Sequence, residues 1–253
     1  MVLDSVEEVY KLKNELIAKP SSLFKLKDCD DYIANPKEDG YRSLHLNYRF
    51  VSDTEDSEEL NQIGVEMQIR TRIQHIWATT VETLGTYLNF SLKSNEGPPE
   101  WISFFQVASV AFSKLEGMPV VGKFKEIPEF EIYKELVRQF KLLDIEKRLS
   151  AFKVATNYIN SKEFDLGTYN LLILNLDKRI LNAKNFSDPE NANKEYTKVE
   201  RRIQNGENLQ AVLIETKNVK ELKEAYPNYF LDIDDFVKKM DEIELFIQDD
   251  TEN

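Results

Sequence analysis

Cysteine and histidine are nearly absent from this chain: among 253 residues there is one cysteine, Cys29, and two histidines, His45 and His75. A lone cysteine excludes an intrachain disulfide framework and fits a reducing compartment, so the cytoplasm is the expected location. So few imidazoles and thiols argue against a zinc site built from His and Cys, whereas a hard cation such as Mg²⁺ held by carboxylates stays open. No stretch approaches the run of about 18 apolar residues that spans a bilayer. The opening, Met1 to Lys11, lacks the basic start and apolar run of a signal peptide. Positive charge is also in deficit, with 33 Lys and Arg against 45 Asp and Glu, a formal net charge of −12. General nucleic-acid binding needs a phosphate-neutralising basic surface, and this balance argues against one. A local basic pocket for a single nucleotide remains compatible with it.

What is present describes an ordinary globular chain, 42% hydrophobic and 31% charged, with length for one large domain or two modest ones. Met1 to Asp4 reads as the end of a strand. Ser5 and Glu8 have capping-box spacing ahead of the helical stripe Val6, Val9, Leu12 and Leu16. A short strand is expected at 23–26, then a polar loop over 27–40. Two alternating strands carry the clearest signal. Leu44, Leu46, Tyr48 and Phe50 share one face, and Ser43, His45, Asn47 and Arg49 the other; then Val65, Met67 and Ile69 oppose Glu66, Gln68 and Arg70. Their acidic connection, 51–63, is expected to be a mobile surface loop. Paired as neighbours, these strands would form one sheet face of Ser, His, Glu, Gln and Arg, an unusual chemistry for a face that merely meets water.

Thr71 is expected to cap a helix to about residue 89, with Ile73, Ile76, Trp77, Val81, Leu84 and Leu88 inward. A further helix is expected over 100–115, and Pro119 to Pro128 reads as a linker. Beyond it the pattern predicts one or two helices to residue 161, a hairpin over 169–183 turning at Asp177-Lys178, a charged helix over 191–205 and a strand at 210–215. Two short helices near 219–225 and 233–246 and a disordered tail from 248 complete the reading.

The stretch Asp31-Tyr-Ile-Ala-Asn-Pro-Lys-Glu-Asp-Gly-Tyr-Arg-Ser-Leu-His45 resembles the acceptor loop of the RelA/SpoT alarmone synthetases. Val65-Glu-Met-Gln-Ile-Arg-Thr71 with Trp77-Ala78 resembles the strand and helix that follow in that family. The resemblance covers residues 1 to about 116. It implies an α+β fold, a mixed or antiparallel sheet flanked by helices of the nucleotidyltransferase-like kind, with a second, smaller α+β domain after it. The expected boundaries are 1–118 and 129–253. It implies pyrophosphate transfer from ATP to the 3′-hydroxyl of GTP or GDP, with Mg²⁺ as cofactor. Gly40 permits a tight turn, and Tyr41 is implied to stack on guanine, a contact worth about 1–3 kcal/mol. Glu66 becomes a candidate metal ligand or base, with Gln68 and Arg70 beside it. Lys37, Ser43, His45 and Asn47 are candidate substrate contacts. Lys37 and Arg42 are read either as phosphate contacts or as solvated charge. His75 is read as a packing or boundary residue, Trp77 as core and Cys29 as inert.

Departures from the family pattern carry expectations too. Asp39 stands where the family usually has Asn, placing a negative charge beside the glycine. The family's ATP-binding basic residues and first metal-binding Asp are expected upstream of residue 1, so the chain alone is expected to show little synthetase activity. Two alternatives stay open: a guanine-nucleotide-binding regulatory module without catalysis, and a tRNA 3′-end pyrophosphokinase toxin of the same family. Residues 129–253 show no clustered ligands or nucleophile; regulation, a homo-oligomer contact or partner binding are the roles open to them.

Overall fold

The computed structural model describes the chain apart from residues 53, 89, 121, 162–166, 176, 179, 252 and 253. It divides into two compact units, residues 1–78 with 103–136 and residues 79–102 with 137–253. Both are α+β, and among the described residues no helix is long and apolar enough to cross a membrane.

The first unit is built on a mixed sheet. Strand β1 (Val2–Leu3) runs parallel to β4 (Gly64–Thr71), while β4, β3 (Leu44–Phe50) and β2 (Phe24–Asp31) are antiparallel neighbours in the order β1-β4-β3-β2. Strand β2 runs well past the short strand expected from its apolar start. It breaks register between Leu26 and Asp28, then pairs Asp28, Cys29 and Asp30 with Asn47, Leu46 and His45. An acidic stretch with poor strand propensity is held extended by its ladder, so pairing outweighs local preference.

Helix α1 (Val6–Ala18) begins where Ser5 accepts a hydrogen bond from the Glu8 amide at 3.2 Å, and Glu8 returns one to the Asp4 amide at 3.0 Å. Its Val9 meets Leu44, Leu46 and Ile69 from the sheet, and Ile33, in a fully buried cluster that Leu3, Leu12 and Met67 border. Burying each such side chain contributes about 1.5–3 kcal/mol, so the sheet's apolar face is fixed against α1 and its polar face is left to the other side. Helix α2 (Arg72–Leu88) starts with a reciprocal cap: the Gln74 amide donates to Thr71 Oγ1 and the Thr71 amide to Gln74 Oε1, both at 3.2 Å. Helices α3 (Pro99–Leu115) and α4 (Glu129–Leu142), like α2, each begin in one unit and end in the other.

The second unit holds α5 (Ile145–Ser161) and an antiparallel sheet of order β6-β5-β7, from β5 (Tyr169–Asn175), β6 (Ile180–Phe186) and β7 (Leu209–Glu215). The hairpin turn retains Asp177 and Lys178; Leu176 and Arg179 beside them lie outside the described residues. Helix α6 (Pro189–Gln204) opens with Asp188 accepting from the Asn191 amide at 2.9 Å and proline at its first position, then lays Val199 on Leu171, Ile173 and Ala211. Helix α7 (Thr216–Ala225) is followed by α8 (Tyr229–Thr251), 23 residues long. The expected disordered tail is therefore helical to Thr251, and residues 252 and 253 lie outside the described part.

Candidate functional site

The loop between β2 and β3 is shaped by local chemistry. Asp39 Oδ1 accepts from the Tyr41 amide at 2.8 Å, a turn that Asp closes as well as Asn does, so the carboxylate is committed to the backbone. Gly40 has φ +95°, and a Cβ there would lie 2.8 Å from Ser109 Cβ and 3.3 Å from the Trp77 ring. Only glycine fits this conformation and this approach. From α3, Ser109 Oγ donates to the Gly40 carbonyl at 2.5 Å and Gln106 Nε2 to the Glu38 carbonyl at 3.0 Å.

Beyond the turn, Tyr41 lies over the polar face of β3 and β4. The pairing register sets His45 opposite Gln68 and Asn47 opposite Glu66, so the four side chains share one face. Tyr41 Oη meets His45 Nε2 at 2.8 Å and receives a hydrogen bond from Arg70 Nη2 at 2.7 Å. Arg70 also donates to Gln68 Oε1 and, from Nε, to Ser43 Oγ at 3.4 Å. Gln68 Nε2 donates to Glu66 Oε1 at 2.5 Å, and His45 Nδ1 lies 3.2 Å from Glu66 Oε2. The ring at 41 and the carboxylate at 66 thus meet on one surface, linked through His45, Gln68 and Arg70. Glu66 keeps 46% of its side chain exposed while His45 keeps 9%, so the acid is the part of the cluster open to a ligand.

Burial holds the His45 pKa below its ordinary 6.5; Arg70 and Lys37 push the same way and Glu66 opposes them. The imidazole is therefore neutral at neutral pH and can bridge Tyr41 and Glu66 without adding charge. Two of the remaining expected residues sit differently. Lys37 Nζ stands over the rings of Tyr32, at 4.5 Å, and Tyr41, at 5.2 Å; Arg70 Cζ is also 5.2 Å from the Tyr41 ring centre. A base stacking on Tyr41 takes over a place that a cation holds here. Asn47 is on the shared face but its Nδ2 is spent on Asp28 Oδ1 at 2.5 Å and Asp30 Oδ2 at 3.0 Å.

Asp28 and Asp30 were hidden from sequence reasoning because their segment reads as loop; only the ladder brings them across from Asn47 and His45. Tyr32 was missed as well. Its ring packs edge-on against Tyr41 and His45, with centroids 6.0 and 5.2 Å apart, and so buttresses both. Among the described residues no group of three or more His, Cys, Asp or Glu is arranged to hold a metal. The residues fit Mg²⁺ only in its nucleotide-bound form, in which one or two carboxylates complement phosphate oxygens and water; half-exposed Glu66 can be one of them.

Arg42 is not a solvated charge. It is 5% exposed, donating Nη1 to the Ile33 carbonyl at 3.0 Å and Nη2 to the Pro119 carbonyl at 3.1 Å, and burial lowers its pKa. Trp77 is core, 6% exposed, with Nε1 donating to the Phe105 carbonyl at 2.9 Å. Cys29 points into the α1–sheet core, and burial pushes its thiol pKa up.

Comparison with known proteins bears on the same stretch. A family model described as the region found in RelA/SpoT proteins matches residues 1–89. The chain is 36% identical over 112 residues to GTP pyrophosphokinase YjbM of Bacillus subtilis (strain 168), a match covering 44% of this chain and 48% of that protein. It therefore spans about half the length of the curated relative it matches. Among solved structures, the small alarmone synthetase 1 from Bacillus subtilis bound to its product pppGpp is 32% identical, over 46% of this chain and 55% of that one, with a TM-score of 0.38. A GTP pyrophosphokinase family protein from Streptococcus pneumoniae is 23% identical, over 46% and 56%, also at 0.38. Residues 1–89 of this chain thus match the region found in RelA/SpoT proteins, and the chain is similar over part of its length to a GTP pyrophosphokinase.

Proposed function

We propose that residues 1–118 form the acceptor side of a GTP pyrophosphokinase, binding GDP or GTP so that its 3′-hydroxyl meets Glu66. The observation that carries this reading is the shared sheet face on which the Tyr41 ring and the Glu66 carboxylate are joined through His45, Gln68 and Arg70. In the reaction the acceptor 3′-oxygen attacks the β-phosphorus of ATP, the bond between the α-bridging oxygen and that phosphorus breaks, and AMP leaves.

The chemistry asks for little covalent help. It needs positioning and positive charge around the transferred group. Tyr41 supplies a ring face for guanine, and Asp39 and Ser109 hold that ring's backbone in place. Arg70 supplies a fixed charge beside the acceptor. Glu66 accepts the 3′-hydroxyl proton or complements Mg²⁺, which when bound to the nucleotide would neutralise the polyphosphate. ATP is the implied donor. A tRNA 3′ end presents a similar hydroxyl, but a net charge of −12 favours a mononucleotide acceptor.

The test is calorimetric titration of the chain with GDP, repeated on Tyr41→Ala. Loss of a stacking contact predicts roughly 5- to 150-fold weaker binding. Unchanged affinity in the variant would sink the acceptor reading. Incubation with ATP, GTP and Mg²⁺, followed by chromatography, separates an enzyme from a binding module, and labelled tRNA offered in place of GDP separates the two acceptors.

A further inference from the structure

We infer a second anion site in this unit, on the α3 side of the acceptor loop, that takes a phosphate-bearing small molecule without stacking it on Tyr41. The inference goes beyond the acceptor reading and does not depend on it. A cleft of about 320 Å³ opens between the loop at Lys37–Gly40, the α3 residues Gln106 and Ser109, and the segment Gly122–Phe124. Tyr41, turned toward His45 and Arg70, does not line it.

Charge singles the cleft out. Lys37, Arg42 and Lys123 line it against one carboxylate, Glu38, so its walls carry three positive charges and one negative, a net +2 in a chain of net −12. Most lysines with printed contacts elsewhere on this protein are answered by a carboxylate, but among the described residues neither Lys37 nor Lys123 forms an ion pair. Lys123 Nζ donates to Gln106 Oε1 at 3.2 Å and stands 4.9 Å from the Phe124 ring centre, leaving it further N–H donors. Behind them, Arg42 is 5% exposed, hydrogen-bonds the Ile33 and Pro119 carbonyls, leaves Nε without a partner and has the Glu116 carboxylate as its nearby counter-charge.

Two lysines without a carboxylate partner, gathered at a concave cleft with a buried guanidinium behind them, are what an anion needs, because their attraction is less screened there than on an open surface. Phosphate fits better than carboxylate, since it can accept from separate ammonium groups through different oxygens. The volume lies at the small end of ligand sites, enough for a phosphate on a compact body, which Phe124 can cover.

The experiment is calorimetric titration of the 253-residue chain, without Mg²⁺, with inorganic pyrophosphate and separately with AMP. Both titrations are repeated on Lys123→Ala, Phe124→Ala and Tyr41→Ala, with circular dichroism to confirm folding. Lys123 is exposed, so its replacement leaves the fold intact. The expected result is binding weakened about tenfold by Lys123→Ala, the loss of one charge-assisted contact, and weakened far less by Tyr41→Ala, whose ring lines no part of the cleft and only neighbours Lys37 Nζ. Tighter binding of AMP that Phe124→Ala weakens assigns the phosphate to a nucleotide; tighter binding of pyrophosphate indifferent to Phe124→Ala assigns it to a free phosphate. No binding of either probe, indifference to Lys123→Ala, or equal weakening by Tyr41→Ala overturns the site. The GDP titration with Tyr41→Ala fails or succeeds separately from all of these.

Discussion

The two sheets of this protein spend their interiors differently. In the second unit, the central strand β5 buries Leu171, Leu172 and Ile173, and its one buried polar side chain, Asn170, is tied to the Gly167 carbonyl at 3.2 Å and Thr216 Oγ1 at 2.7 Å. In the first unit only one face is apolar. The other buries Ser43, His45 and Arg70 to 8% exposure or less and satisfies them with one another and with Tyr41. Burying such groups costs free energy that a hydrogen-bonded network only partly returns. A sheet shaped for stability alone is filled as β5 is. The first sheet holds a preorganised polar cluster beside an open carboxylate, which is the arrangement a ligand site needs.

Four substitutions or conditions would break or sharpen this contrast. The largest effect belongs to Arg70→Ala, which takes one partner each from buried Ser43 and from half-buried Gln68 and Tyr41 Oη. It is expected to destabilise by about 2–3 kcal/mol and to abolish GDP binding, measured by urea unfolding and calorimetry. Gly40→Ala comes next: strain at φ +95° and the 2.8 Å approach to Ser109 predict about 2 kcal/mol of lost stability and weaker GDP binding. Retained affinity in that variant would show that the loop's shape does not serve the site.

Acidification gives a smaller, signed effect. His45 has a folded-state pKa below its ordinary 6.5, so its contribution to stability is fully present above that value. It is lost as pH falls from about 6.5 through the folded-state pKa. Unfolding midpoints measured across this window should decline in the parent and decline less in His45→Gln. Least of all, Lys217→Ala on the second unit removes only an exposed pair with Glu221 at 3.4 Å, and a change below about 0.5 kcal/mol in urea unfolding is expected.

Much of the first unit was legible because its signals are local. Strict alternation in Leu44–Phe50 and Val65–Arg70 reveals which side chains share a face before any pairing is known, and the caps at Ser5 and Thr71 mark helix starts by short-range hydrogen bonding. The shared polar face was legible for the same reason, since His45, Glu66, Gln68 and Arg70 sit on those two strands, and Gly40 and Tyr41 lie in the loop that leads into the first of them. Asp28 and Asp30 were not, because an acidic segment becomes a strand only when β3 offers it a ladder. The burial of Arg42 was not legible, because nothing local shows that the Ile33 and Pro119 carbonyls, the latter 77 positions away, converge on its guanidinium.

The sequence by itself determined the periodicities, the turn at Gly40 and the family resemblance of its first part, since each depends on neighbours within a few residues along the chain. Only the tertiary structure decided that Tyr41 reaches Glu66 through His45, and that α3 supplies the groups holding the loop. It also decided that three cations line a cleft beside it. Those facts rest on contacts between distant segments, whose register and approach are set by packing and not by any local pattern.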